Sequence, residues 1–497
     1  MPAPLLSLHG VTKRYGPVLA NDAVDLDVAA GSIHAVLGEN GAGKSTLMKL
    51  IAGVERPDAG RIEWDGAPVA PSSPAQAQRM GVGIVFQHFA LFETLSVVQN
   101  VALVIPGRQA DLARRIRDTG DRFGLPVNPD AMVHRLSVGE RQRVEIIRCL
   151  MLDPRLLILD EPTSVLPPQA IPPLFDTLRG MRDRGMALLF ISHKLGEIRD
   201  LCDTATILRG GRVVDRVDPR DRTPTELAQA MIGRDMPPRV RAVPRMPGTV
   251  RLSLEGVTWD NPDPFGTSLS DVSLGVRSGE VVGIAGISGN GQAEMAAILS
   301  GEVTLDRADA VTLMGRPAGR TGAADRRRAG LAFVPEDRLG RGAVPDMSLS
   351  DNTLLTAHGH GLTWRGFLRH ARERAMTSAI IANNDVRTPS AATEAGALSG
   401  GNLQKFVMGR EIALAPDVLV VAQPTWGVDV AAAAAIRARL IALRDAGCAV
   451  LVISEEIEEL FEICDRMHVL HHGRLSPSLT TADVTPTDVG RHMIGAA

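Results

Sequence analysis

The chain has no long apolar run. No stretch approaches the roughly 18 uninterrupted apolar residues of a membrane span, so no transmembrane helix is expected. Residues 1–16, MPAPLLSLHGVTKRYG, lack the basic n-region and extended apolar segment of a secretion signal, and a cytoplasmic location is expected. Cysteine is scarce: Cys149, Cys202, Cys448 and Cys464 form no C-x-x-C pair and read as reduced, structural thiols. Charge of one sign is also missing. The 54 Lys and Arg against 57 Asp and Glu leave a net −3, which gives no electrostatic footprint for nucleic acid, and no nucleic-acid partner is expected. What remains, 497 residues with 44% hydrophobic and 22% charged, is ordinary for a soluble globular protein and suits roughly two to four domains with large cores.

Glycine is arranged with purpose. Residues 38–45 read Gly-Glu-Asn-Gly-Ala-Gly-Lys-Ser, a full G-x-x-x-x-G-K-[ST] phosphate-binding loop. Glycines let the backbone approach phosphate closely, Lys44 supplies a point charge to the β/γ-phosphates, and the Ser45 hydroxyl reaches Mg²⁺. Ile33 to Leu37 is strand-like, and Lys44 to Ile51 has helical spacing, so the loop leads into a helix N-terminus that favours an anion. Residues 286–293, Gly-Ile-Ser-Gly-Asn-Gly-Gln-Ala, keep the glycines but place Gln292 and Ala293 where the lysine and hydroxyl belong.

This pairing is part of a repeat. The loops begin at 38 and 286, an offset of 248. Leu136-Ser137-Val138-Gly139-Glu140 and Leu398-Ser399-Gly400-Gly401-Asn402 are 262 apart, as are Asp160 and Ala422, His193 and Glu455, and the segments starting at Met231 and Met493. Cys202 and Cys464 fall in matching contexts for the same reason. The change from 248 to 262 puts about fourteen additional residues between loop and signature in the second half. One duplicated domain explains these offsets. Residues 1–235 and 251–497 are the expected domains, joined by the Pro/Arg-rich segment 236–250. Apolar runs at 156–159, 187–192, 418–422 and 449–454 fit strands buried on both faces of a parallel sheet.

With these residues in place, both halves resemble nucleotide-binding domains of ABC ATPases, over nearly the whole chain. The resemblance implies an α/β fold: two tandem P-loop ABC domains, each with a mainly parallel sheet core, an antiparallel β subdomain and a helical subdomain. It implies ATP and Mg²⁺ as ligands. Tyr15, the only tyrosine, matches the aromatic residue that stacks on adenine. Gly38, Glu39, Asn40, Gly41, Ala42, Gly43, Lys44, Ser45 and Thr46 match the ATP-binding loop. Gln87 matches the Q-loop glutamine that touches Mg²⁺, Asp160 the Mg²⁺-orienting carboxylate, Glu161 the general base, and His193 the switch histidine at the γ-phosphate.

The second half departs from this pattern at Gln292, Ala293, Glu336 (for the Q-loop glutamine), Ala422, Gln423 and Glu455, yet keeps a good signature. Family domains pair head to tail, with each ATP between one domain's loop and the other's signature. The resemblance therefore implies that the intact loop works with Ser399, Gly400, Gly401, Gln404 and the D-loop carboxylate Asp429. The degenerate loop faces a first-half signature whose D-loop carries Pro167 in place of aspartate. One hydrolytic site per chain is expected.

The phrases LSVGE, MIGR, VPEDR and LSGGN-LQK are similar to those in ATPases of bacterial simple-sugar and nucleoside importers, with Gly-Asn-Gly-Gln and Gln-Pro-Thr closer to the nucleoside branch. Expected partners are two integral-membrane permease subunits and, indirectly, a solute-binding lipoprotein or periplasmic binding protein, with the chain peripheral on the cytoplasmic face. The alternative is a soluble ABC-F-type translation factor, but those factors keep both catalytic sites and a long charged helical linker. Here the linker is short.

Overall fold

The computed structural model describes residues 4–16, 18–39, 41–86, 89–164, 166–192, 194–233, 246–264, 266–493 and 495. The chain forms two compact units, Met1–Met236 and Pro237–Ala497. Most of the segment 236–250, read as a linker, lies outside the described residues.

In the first unit, six strands form one sheet in the order Arg212–Val217, Thr204–Arg209, Ile33–Gly38, Ala187–Ile191, Leu156–Asp160, Val82–Val85. All neighbours are parallel except the first pair. Its inner strands are apolar at consecutive positions because both faces are covered. Side chains alternate between two cores accordingly. Leu157 and Leu159 pack with Val144, Ile147 and Leu178 of the helices on one side. Leu156 and Ile158 pack with Leu47 and Leu50 of helix Lys44–Ile51 and with Leu6 and Leu26 of a four-stranded antiparallel sheet on the other. Helices Val97–Ala102, Gln109–Phe123 and Val138–Leu150 complete the unit's helical part.

The second unit repeats this plan. Leu331–Val334, Val418–Ala422, Ala449–Ser454, Val281–Ala285 and Arg466–His471 run parallel in that order, and a second antiparallel sheet packs beside them. The expected α/β architecture is therefore present twice. In each unit the glycine loop leaves a strand with neighbours on both sides, and the crevice beyond the carboxyl ends of such strands is where ligands bind.

The surplus residues of the second half fall in a definite place. Buried Asn100 and Asn352 play the same part, each bracing the turn before its helix through Oδ1 and Nδ2. They are 252 apart whereas the signature serines are 262 apart, so ten surplus residues lie between these landmarks. There the second unit carries a hairpin, Thr363–Trp364 with Phe367–Leu368, that has no counterpart among the described residues of the first.

Candidate active site

Residues 38–45 join strand Ile33–Gly38 to helix Lys44–Ile51. Gly41 and Gly43 hold φ of 82° and 103°, and a β-carbon on Gly43 would lie 2.4 Å from the Ala20 carbonyl oxygen, so no other residue fits there. Lys44 is 8% exposed, and its Nζ donates to the carbonyls of Gly38 (2.7 Å) and Glu39 (3.1 Å). Burial lowers its pKa, against the pull of Glu161, Asp160 and Glu39. Asp160 ends its strand and is pushed up to about 6 by burial and by the neighbouring charge of Glu161, with Lys44 opposing. Glu161 holds a left-handed φ of 46°, and its N–H donates to the Ile191 carbonyl at 2.8 Å. A non-glycine residue pays strain for that conformation, which fits a functional position.

Ser45 is exposed at the start of the helix and Thr46 half-buried. Burial and the nearby Glu55 carboxylate raise the Tyr15 pKa against Lys13 and Thr46, and the ring, 40% exposed, has the Lys13 ammonium 5.6 Å from its centroid. The structure thus gathers Tyr15, Thr46, Lys44, Asp160 and Glu161 about one loop. Asn40, Gln87 and His193 lie outside the described residues.

The second loop keeps the backbone and loses the charge. Gly289 and Gly291 hold φ of 85° and 110°, close to their first-half counterparts. The Gln292 amide donates to the Ile287 carbonyl at 2.9 Å, the equivalent of the Glu39 carbonyl that Lys44 holds. Its Oε1 accepts from the Asn290 N–H at 3.1 Å. The Glu455 carboxylate stands beside Ser288, inside the loop, whose backbone N–H and hydroxyl draw its pKa down. Burial and the facing charge of Glu336 push Glu455 up to about 7, and Glu336 is itself raised by burial. Ala422 ends its strand in place of an aspartate, and Ala293 stands exposed where the hydroxyl belongs. Gln423 retains the left-handed φ (49°) and the bond to the Ile453 carbonyl at 2.8 Å.

The two signatures differ in the same sense. Ser137 caps helix Val138–Leu150 in a closed box: the Glu140 carboxylate accepts from the Ser137 N–H (2.9 Å) and hydroxyl (2.7 Å). A negative charge therefore already occupies that helix N-terminus. In the second unit Ser399 opens helix Gly400–Ile412 with no side-chain cap on the backbone, and the residue three places on, Asn402, is neutral and donates to Ser399 Oγ at 2.9 Å. Ser399 and Gly400 are exposed and Gly401 half-buried. Asp429 caps helix Val430–Asp445 by accepting from the Ala432 N–H at 2.7 Å.

Gln404 departs from expectation. It is 1% exposed, and its amide is consumed inside the unit, donating to the Pro424 carbonyl (2.9 Å) and accepting from Arg338 Nε (3.1 Å). Both ends of its amide are thus engaged within the unit and shielded from solvent, where an exposed ATP contact was expected. The same contact exposes a residue that sequence reasoning passed over. Arg338, in Val-Pro-Glu-Asp-Arg, also donates to the Trp426 carbonyl, and its guanidinium carbon lies 5.4 Å from the Trp426 ring centroid. A β-carbon on Gly400 would lie 2.7 Å from Arg338 Nη1, so the guanidinium packs directly over that signature position. A second missed feature is a buried brace beneath each site. Thr163 and Ser192 hydroxyls donate to Glu197 (2.6 and 3.3 Å), and Ser454 donates to Glu459 at 3.0 Å, with Thr425 also bonded to it. Recurrence of all three residue types at the 262 offset was the available signal.

Two α/β units with glycine-loop phosphate sites, one bearing a lysine, an aspartate and a glutamate, define an ATPase of the P-loop class. The ABC transporter family matches residues 21–164 and 269–426, and the chain belongs to that family. It is 36% identical to the nucleoside import ATP-binding protein NupA of Lactococcus lactis, over 99% of this chain and 98% of that protein. Identity is 37% with the guanosine import ATP-binding protein NupO of Bacillus subtilis, over 99% and 98%. With a ribose import ATP-binding protein, RbsA 1 of Rubrobacter xylanophilus, it is 39% over 97% and 96%. Among solved structures, an archaeal ribosome recycling factor in complex with a ribosomal stalk protein aligns with a TM-score of 0.61 at 17% identity, covering 95% of this chain and 90% of that one, a likeness of fold alone. Among the described residues no helix is long and apolar enough to cross a membrane.

The buried acid of the second loop sets a pH dependence. Because Glu455 titrates near 7 in the fold against 4.5 in an unfolded chain, the wild type loses stability as pH rises from about 4.5 to about 7. Glu455→Gln keeps an acceptor for Ser288 without the charge. Thermal melts should show the variant several degrees more stable at pH 8 and equal to wild type near pH 4.5. Equal melting temperatures at both pH values would contradict the buried charge.

Proposed function

We propose that this chain is the ATP-hydrolysing subunit that energises an importer of simple sugars or nucleosides, with one competent ATP site per chain. The carrying observation is the distribution of carboxylates over the four anion-binding positions. Glu140 closes the first signature and Glu455 stands against the second loop, whereas the first loop holds the Lys44 ammonium at its centre and the second signature has no carboxylate on its N-terminal turn. In this reading the two units pair head to tail, so that the first loop and Ser399 act on one nucleotide.

Lys44 exchanges its two carbonyl partners for phosphate oxygens, and backbone N–H groups of the loop hold the remainder. The N–H groups at Ser399, Gly400 and Gly401 take up charge on the γ-phosphate as the units close. Glu161 accepts the proton of the water that attacks the γ-phosphorus, and the bond to the ADP oxygen breaks. Asp160, with its raised pKa, and the exposed Ser45 hydroxyl form a donor set that fits Mg²⁺, which would neutralise phosphate charge when bound. Import names among the relatives support two integral-membrane permease subunits as partners, a solute-binding protein acting through them, and a peripheral place on the cytoplasmic face. The nucleoside class of cargo rests on the Gly-Asn-Gly-Gln and Gln-Pro-Thr phrases, since identity alone does not separate the branches.

Two substitution pairs test the assignment. Glu161→Gln should lower steady ATP turnover by at least about a hundredfold, the scale of a lost general base, while Gln423→Ala leaves it within about twofold. The reverse pattern would sink the single-site reading. Ser399→Arg should abolish turnover without weakening ATP binding to the first loop, and Arg338→Gln should lower kcat with an unchanged KM for ATP. Wild-type turnover in Ser399→Arg would refute the shared site.

A further inference from the structure

The hairpin unique to the second unit has a chemistry that the ATPase reaction does not use. Its tip, Arg365-Gly366, has φ of 49° and 84°, both positive as a type I′ turn requires. Trp364 and Phe367 are directly paired across the two strands and so lie on one face. They are 61% and 74% exposed, and Leu368 beside them is exposed too. Two large aromatics held side by side in water are costly to leave uncovered.

The charges around them are one-sided. Between residues 358 and 374 stand Arg365, Arg369, Arg372 and Arg374, with His358, His360 and His370. The single carboxylate in that span, Glu373, is buried and faces His370 Nδ1 at 3.1 Å. Among the described residues none of the four arginines has an ion-pair partner, while Arg365 lies 4.9 Å over the Trp364 ring. Other surface arginines of this chain commonly find a carboxylate, as Arg341 does with Glu302 and Arg437 with Glu462.

We propose that this hairpin is a membrane-surface contact in which Trp364 and Phe367 enter the interfacial layer and the arginines meet anionic lipid headgroups. Aromatic rings with an apolar body settle at the headgroup level, and each nearby cation adds attraction to an anionic leaflet. The pairing of an aromatic tip with a cationic base matches that layered chemistry, apolar deeper and anionic at the surface. A single-stranded nucleic acid would use the same arginines, but the exposed Leu368 on the hairpin itself favours lipid. The proposal rests on the importer reading only for what brings the chain to the membrane.

The test uses the purified full-length chain without permeases, so its outcome does not depend on the importer assignment. Sedimentation is measured with vesicles of phosphatidylcholine alone and with about one-third phosphatidylglycerol, at low and at physiological salt. Wild type should bind the anionic vesicles at least about tenfold more tightly than the neutral ones. The double variants Trp364→Ser with Phe367→Ser, and Arg365→Gln with Arg369→Gln, should each lose about tenfold or more while ATP turnover stays at the wild-type level, which certifies folding. Equal binding to neutral and anionic vesicles overturns the proposal, as does unchanged anionic binding in both variants. Preference for a labelled single-stranded oligonucleotide with no vesicle binding overturns it in favour of nucleic acid. Loss of permease association by the variants without a vesicle effect overturns it in favour of a protein contact.

Discussion

An anion-binding nest of backbone N–H groups can serve one negative charge at a time. That constraint organises this protein. Four such nests arise from the duplication, one glycine loop and one signature helix in each unit, all built on similar backbone. At two of them a carboxylate from the chain itself has taken the position. Glu140 reaches back to Ser137 and closes the first signature, and Glu455 reaches Ser288 within the second glycine loop. At the other two stand the neutral Asn402 and the Lys44 ammonium, which offsets the nearby carboxylates Asp160 and Glu161. In the single-site proposal, asymmetry of function follows from charge placement without any large change of fold.

The backbone records how little else changed. Glu161 and Gln423 share a strained left-handed conformation and the same bond to the neighbouring strand. The braces on Glu197 and Glu459 persist in both units. The second unit keeps this scaffold although Gln292, Ala293, Ala422, Gln423 and Glu455 stand where the first unit has its lysine, hydroxyl, carboxylates and histidine. Arg338 shows a new use of that scaffold, tying the Val-Pro-Glu-Asp-Arg turn to Gln404 and Trp426 of the surviving signature side.

Much of the fold was legible because it depends on local rules. Consecutive apolar residues at 156–159 and 449–454 fit doubly covered strands, as found, and the glycine loop followed by helical spacing announced its strand–loop–helix context. The identities at the loop, Asp160 and Glu161 were equally plain, and the four cysteines, read as reduced structural thiols, are all buried. Less accessible was anything decided by where a long side chain turns. Nothing in the spacing shows that Gln404 is spent on Pro424 and Arg338 rather than held out to a ligand, or that Glu455 folds into the loop it replaced a histidine beside. The offset of fourteen residues foretold an insertion, but only pairing of Trp364 with Phe367 showed it to be a hairpin with an aromatic face.

In the single-site proposal only the first of the two duplicated loops holds ATP tightly. Counting bound ATP per chain at saturation, by equilibrium dialysis with a radiolabelled nucleotide under non-hydrolysing conditions, addresses it most directly. The account predicts one ATP per wild-type chain and none once Lys44 is replaced by alanine. Two per wild-type chain, or one retained in Lys44→Ala, would contradict it.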